Sequence, residues 1–201
     1  MKKVYIIHCW GGNPKDGWYP WICNHLQKKE IEVKCLEMPN TNTPKIEEWI
    51  EKLEQEIDCL DEDTFFIGHS IGCQTIMRYL QRKKITKIGG ILFVAPWLEL
   101  SLKAVESEKD YNIAHPWLEK PLFLEKIKKF TTNITCIFSD DDYFVPLSQK
   151  RIFESKLSAD CIVVHEKGHI SEEDGVFELK EILLATFKML GLEILEIVQE
   201  N

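Results

Sequence analysis

Three residues in this chain have the types and the order that nucleophilic acyl transfer requires. Ser70 stands in Gly68-His69-Ser70-Ile71-Gly72, Asp142 in Asp140-Asp141-Asp142-Tyr143-Phe144-Val145-Pro146, and His169 in Gly168-His169-Ile170. A serine hydroxyl is a poor nucleophile until a base takes its proton, and the base works best when a third group holds its orientation. The G-x-S-x-G spacing has a steric cause. It belongs to a sharp strand-to-helix turn that forces the serine backbone into strain, where side chains at either glycine would collide. The N–H of Ile71 then falls at a helix N-terminus, where unpaired donors favour a developing negative charge.

The base and its orienter each have rivals. The six histidines are His8, His25, His69, His115, His165 and His169. His69 adjoins the serine, and its side chain is expected to point away from the site. His25 falls in a helical pattern, His8 and His165 lie near strand ends, and His115 sits in an irregular segment and stays open. His169 is favoured because Gly168 frees the backbone that aims it. For the acid, Asp142 is favoured over Asp141, since it opens Asp-x-x-Val-Pro just before a helix. A second oxyanion donor is expected from His8-Cys9-Trp10-Gly11-Gly12. The Trp10 N–H is the candidate there, with Cys9 and Gly11 as alternatives. Cys9 itself reads as a buried thiol.

These residues need elements to place them. Val4–His8 is a short apolar strand, and Asp16 to Lys29 has helical spacing in Trp18, Trp21, Ile22 and Leu26. Glu32–Glu37 reads as a strand. Thr43 is a plausible cap with Pro44 at the first helical position, followed by the helical face Ile46, Trp49, Ile50, Leu53 and Ile57. Thr64-Phe65-Phe66-Ile67 is the strand before Ser70, and a helical pattern follows it. Ile88–Ala95 is a continuous apolar run suited to a central parallel strand. Residues 98–116 show no clear period and read as irregular. Pro121 opens a possible helix through Leu124, Ile127 and Phe130. Ile134–Ser139 is a strand, Pro146–Leu157 a helix and Cys161–His165 the last strand. Ser171 and Asp174 resemble a capping box for a closing helix carrying Phe177, Ile182, Leu183, Phe187 and Leu190.

About six strands alternating with helices predict a mostly parallel sheet with helices on both faces, an α/β chain. One domain over residues 1–201 is expected, with no repeat or linker. Ligands in such sheets gather at the carboxyl ends of strands. Ser70, Asp142 and His169 all fall there.

Composition narrows the function classes. The chain has 25 basic and 33 acidic residues, a net charge of −8, and 44% hydrophobic content. That balance disfavours nucleic-acid binding. The short apolar run at the N-terminus does not suit a signal peptide, and no stretch suits a membrane span. The seven cysteines are odd in number and without C-x-x-C spacing, which suggests reduced thiols in a cytoplasmic protein and no zinc site.

The chain resembles the small serine hydrolases of the retinoblastoma-binding protein 9 and YdeN family over nearly its whole length. The motifs that carry the resemblance are the Gly11-Gly12 loop running into Gly17-Trp18-Tyr19-Pro20-Trp21, the Met38-Pro39 turn, and Gly68-His69-Ser70-Ile71-Gly72 with Met77-Arg78-Tyr79. Asp141-Asp142-Tyr143-Phe144-Val145-Pro146 and Gly168-His169 complete it. The resemblance implies a three-layer α/β-hydrolase fold with a minimal lid or none, and a Ser-Asp-His triad with Asp142 as its acid. The chain departs at Cys9, where many hydrolases have glycine, and at Tyr143, where relatives often have proline.

The expected function is hydrolysis of a small acyl ester, thioester or activated amide through an acyl-enzyme, using water and no cofactor. Trp97, Trp117 and Phe144 are candidates to line the substrate pocket. The rival is a protein-interaction module that keeps a hydrolase scaffold without turnover.

Overall fold

The structure, a computed structural model, describes residues 1–193; the last residues of the expected 1–201 domain, 194–201, lie outside it. Its strands are β1 (Lys3–Ile7), β2 (Glu32–Leu36), β3 (Thr64–His69), β4 (Gly90–Val94), β5 (Ile134–Ser139) and β6 (Asp160–Val164). They form one open sheet in the order β2-β1-β3-β4-β5-β6, and every neighbouring pair is parallel. The central strands β3, β4 and β5 are buried at every residue, as both-faced coverage demands.

Side-chain alternation splits the core in two. Tyr5, Ile7, Phe66, Phe93 and Phe138 face one layer, with α2 (Ile46–Glu56), α3 (Ile71–Arg82), α5 (Leu124–Ile127) and α6 (Gln149–Leu157). Val4, Ile6, Ile67, Leu92 and Val94 face the other, with α1 (Tyr19–Lys28) and α7 (Lys180–Leu190). The result is the three-layer arrangement that strand–helix alternation predicts. The strand order reverses between β1 and β3, because β2 pairs to one side of β1 and the chain then returns to its other side. The crevice at such a reversal is where open α/β sheets bind ligands. Here it brings His8–Gly12 beside Ser70.

Several local expectations are corrected. The second helix begins at Ile46 with Lys45 as its cap, so Pro44 is not its first residue; the Pro44 carbonyl instead accepts the Trp117 indole N–H at 3.1 Å. Residues 98–116 are not simply irregular: a 3₁₀ turn spans Leu102–Val105 and α4 spans Glu108–Glu119. That helix escapes periodicity because it buries only Ala114 and Trp117, and Pro116 lies inside it. The helix expected from Pro121 shrinks to the single turn of α5, and α6 starts at Gln149, after a turn at Pro146. The closing helix starts at Lys180, which leaves Phe177 exposed ahead of it. Ser171 and Asp174 do hydrogen-bond, Oγ to Oδ2 at 2.7 Å, but they close a loop beside His169 and cap no helix.

No helix among the described residues is long and apolar enough to cross a membrane.

Candidate active site

Ser70 sits where β3 turns into α3, with φ 54° and ψ −119°. A non-glycine residue at positive φ is strained, and its neighbours must hold it there. Its N–H donates to the Val94 carbonyl on β4 at 2.8 Å, and its carbonyl accepts from the Cys73 N–H at 2.9 Å. The two glycines have separate reasons. A Cβ at Gly68 would come within 2.8 Å of the Cys73 nitrogen, and one at Gly72 would strike the Ile7 carbonyl oxygen of β1. Gly68 lets the first turn of α3 close over the strand, and Gly72 lets α3 press against the end of β1.

The hydroxyl so raised meets the favoured histidine. Ser70 Oγ lies 2.8 Å from His169 Nε2, and His169 Nδ1 lies 2.9 Å from Asp142 Oδ2. With an ionised Asp142, Nδ1 donates to the carboxylate and Nε2 is left to accept from the serine. The His169 and Asp142 side chains are 8% and 2% exposed, so the pair is shielded from water.

The three consecutive aspartates divide the work of holding that imidazole. Asp142 Oδ1 accepts the N–H groups of Phe144 and Val145 at 2.8 and 2.9 Å, which turns Oδ2 toward His169. Asp141 reaches the opposite way: it accepts from Ser139 Oγ at 2.7 Å and from the Gly168 N–H at 2.8 Å. Those donors hold its carboxyl below the usual range, the Ser139 hydroxyl most of all. Asp140 accepts the Glu166 N–H and pairs with His165, 2.6 Å away. The loop carrying His169 is therefore pinned by two acids and the His169 side chain aimed by the third. Asp174 adds a fourth hold, accepting the His169 N–H at 2.9 Å and the Tyr143 hydroxyl at 3.0 Å. Gly168, at φ +53°, has no room for a Cβ because the Asp174 carboxylate fills that space.

The remaining histidines stand elsewhere. His25 packs on Trp21, His115 on Tyr111, and His165 serves Asp140. His8 Nδ1 donates to the Cys9 carbonyl at 2.8 Å and its Nε2 accepts the Met38 N–H, so it holds a loop. Burial lowers its basicity. Burial also pushes the Cys9 thiol up to about 11, far from a thiolate nucleophile at neutral pH. The expectation that His69 turns away from the site is corrected. Its ring lies 5.3 Å from that of His169, and it lines the same cleft. Sequence reading missed this residue and Tyr19 because they act through partners distant in the chain, and it missed the loop role of Asp174 because the Ser171–Asp174 spacing reads as a helix cap.

Ile71 is the first residue of α3, so its N–H has no carbonyl within the helix to bond. In the loop after β1, Cys9 donates its N–H to Tyr19 Oη at 3.1 Å and Gly11 donates to the Thr41 carbonyl at 2.9 Å. Both alternatives to Trp10 are thus engaged elsewhere. Trp10 lines the cleft.

The cleft over Ser70 has a volume of about 740 Å³. Trp10, Trp97, Leu100 and Phe144 give it an apolar side, and Asp16, Glu106, Asp110, Glu172 and Glu173 line its polar parts. Phe144 also stands edge-on to the His169 ring, 5.2 Å between centroids. Trp117 is not part of this cleft. It is 1% exposed, packed on Trp49 with its indole N–H bonded to Pro44, and is a core residue. Its large apolar body found a place between α2 and α3 that a sequence pattern does not distinguish from a pocket wall.

The chain as a whole is similar to known proteins. A family model described as serine hydrolase matches residues 4–186. YdeN of Bacillus subtilis is 28% identical over 179 residues, 89% of this chain and 90% of its own length. The rat serine hydrolase RBBP9 is 29% identical over 175 residues, covering 86% of this chain and 89% of its own. The crystal structure of the B. subtilis ydeN gene product superposes with a TM-score of 0.86 at 25% identity, covering 95% of this chain and all of that one.

Proposed function

The chain belongs to the serine hydrolase family, and on that premise we propose that it cleaves a small acyl ester, thioester or activated amide with Ser70, His169 and Asp142 as its catalytic residues. Ser70 Oγ attacks the carbonyl carbon while His169 Nε2 takes the hydroxyl proton. Asp142 holds the imidazole with Nδ1 protonated and stabilises the cation that forms. The carbonyl oxygen becomes an oxyanion, and the N–H groups of Ile71 and Trp10 receive it; one such donor is worth on the order of 10²–10³ in rate. The imidazolium then returns its proton to the leaving group, whose bond to the acyl carbon breaks. Water, deprotonated by the same nitrogen, attacks the acyl-enzyme; the bond from the acyl carbon to Ser70 Oγ breaks, the proton passes from Nε2 to Oγ, and the acid leaves. No cofactor enters this scheme.

The observation that carries the reading is the unbroken run from Ser70 Oγ through His169 to Asp142, at 2.8 and 2.9 Å. The apolar wall of Trp97 and Phe144 suits a hydrophobic acyl or aromatic group. A cytoplasmic setting is supported by seven free thiols, which a reducing compartment preserves. The net charge of −8 speaks for a small-molecule partner over nucleic acid.

Fluorophosphonate labelling tests the proposal. The wild type labels at Ser70 and the Ser70→Ala variant does not. A well-folded wild type that fails to label would instead support an interaction module on a hydrolase scaffold. A panel of esters, thioesters and aminoacyl amides of increasing chain length identifies the bond and the acyl group.

A further inference from the structure

A second hydrogen-bonded chain lies behind the serine and joins the two loops that the reaction must hold in register. It starts at the Cys9 N–H, which donates to Tyr19 Oη at 3.1 Å. Tyr19 Oη lies 2.6 Å from His69 Nδ1, and His69 Nε2 lies 2.8 Å from the backbone carbonyl of His169. Every direction in this chain is fixed. A carbonyl can only accept, so His69 Nε2 carries the proton. Neutral His69 then accepts at Nδ1, so Tyr19 donates its hydroxyl proton there and accepts from Cys9 with a lone pair. Tyr19 and His69 are 2% and 1% exposed, so water does not replace a missing partner. Burial, with the neighbouring His169, lowers His69 to about 3, which keeps the ring neutral.

From this geometry we infer that Tyr19 and His69 are positioning residues that set the distance between the oxyanion-binding N–H of Trp10 and the base His169. Trp10 follows Cys9 directly, so the bond that anchors the Cys9 N–H fixes the peptide adjoining the one that presents the Trp10 N–H. At the other end, His69 grips the main chain of the residue whose imidazole takes the serine proton. The polar atoms of both side chains are engaged within this chain, so each acts through the loop it holds. His69 is also the residue just before the nucleophile, so one strand end positions all three parts of the site. This inference rests on the catalytic assignment proposed above.

The test begins with wild-type protein titrated by a fluorophosphonate. If Ser70 does not label, the catalytic reading itself falls. If it labels, Tyr19→Phe is compared with wild type on a short-chain p-nitrophenyl ester, with kcat expressed per titrated site. The expected result is a 10- to 100-fold fall in kcat with KM within twofold, and a loss of phenylboronic acid affinity matching the loss in kcat/KM. His69→Gln, whose amide both donates and accepts, retains more activity than His69→Leu. A purely structural role would lower melting temperature and the titrated fraction while leaving kcat per site intact; that outcome for Tyr19→Phe overturns the inference. Should that variant not fold, histidine ¹⁵N NMR of the wild type decides. A neutral His69 protonated at Nε2 between pH 5 and 8, as roughly the range in which an unperturbed histidine titrates, sustains the chain. An Nδ1-protonated or cationic ring there breaks it.

Discussion

Asp141 binds the backbone N–H of Gly168 at 2.8 Å, while its neighbour Asp142 binds the side chain of His169. Adjacent carboxylates thus act on adjacent residues of one loop, one on the main chain and one on the imidazole.

This division predicts different failures for the two acids. Asp142→Asn removes the acceptor that fixes the imidazole tautomer, and kcat should fall on the order of 10⁴-fold by analogy with the protease triad. Asp141→Asn should loosen the 166–170 loop and lower the melting temperature with a much smaller loss in kcat. Steady-state kinetics and thermal melts on the two variants check this; a reversal of the two effects would place the acid at Asp141.

The glycines of the elbow predict a stability effect. Gly72→Ala sets a methyl group against the carbonyls of Ile7 and His8, both of them backbone atoms that cannot rotate aside. Overpacking of this kind costs about 1–3 kcal/mol. Because α3 must shift away from β1, Ser70 labelling should slow as well. Urea denaturation with fluorophosphonate kinetics measures both.

Trp117 and Phe144 should separate folding from recognition. Trp117→Ala empties a core site and should cost about 3–5 kcal/mol, yet the ranking of substrates by acyl length should stay as in wild type. Phe144→Ala should change that ranking at a smaller cost in stability, since Phe144 is only partly buried and lines the cleft. Equal substrate rankings for both variants would remove Phe144 from the pocket wall.

Acid should destabilise the fold through His69. Its ordinary value near 6.5 is lowered to about 3 in the folded chain. Between those two values the unfolded chain holds a proton on this ring that the folded chain refuses. The unfolded state binds more protons, so stability falls as pH drops from about 6.5 toward 3, by about 1.4 kcal/mol per pH unit for one such histidine. Above about pH 6.5 the term is constant. His8, also lowered by burial, adds in the same direction. Denaturant melts at intervals across this range should show the slope, and His69→Gln should reduce it.

The legible parts of this molecule were those that a short stretch determines alone. Thr64–Ile67 reads as strand because four β-branched or aromatic residues run into a glycine, and the elbow follows within the same ten residues. The order of Ser70, Asp142 and His169 along the chain could be read because each follows an apolar run. Long-range partnerships could not be read. The tasks of Asp140 and Asp141 exist only because β5 and β6 are neighbours, which sets residues 139–142 against 165–168. Tyr19 meets His69 across 50 residues, and nothing in either local pattern announces it. The helix α4 was obscured for the opposite reason: with two buried side chains in twelve residues, it leaves almost no periodic trace.

That sparse burial has a consequence for how the molecule can change. Leu100, Lys103, Ala104, Ser107 and Asp110 form one wall of the cleft, yet the turn Leu102–Val105 buries no residue and α4 is held chiefly through Trp117 at its far end. Ser101 fixes the near end through the carbonyls of Tyr143 and Phe144. Between those two anchor points the sequence can diverge, or be exchanged by an engineer, with little burden on the core. This wall of the cleft and most of the core are thereby written into different stretches of the chain, so selection can revise one while the other stays as it is.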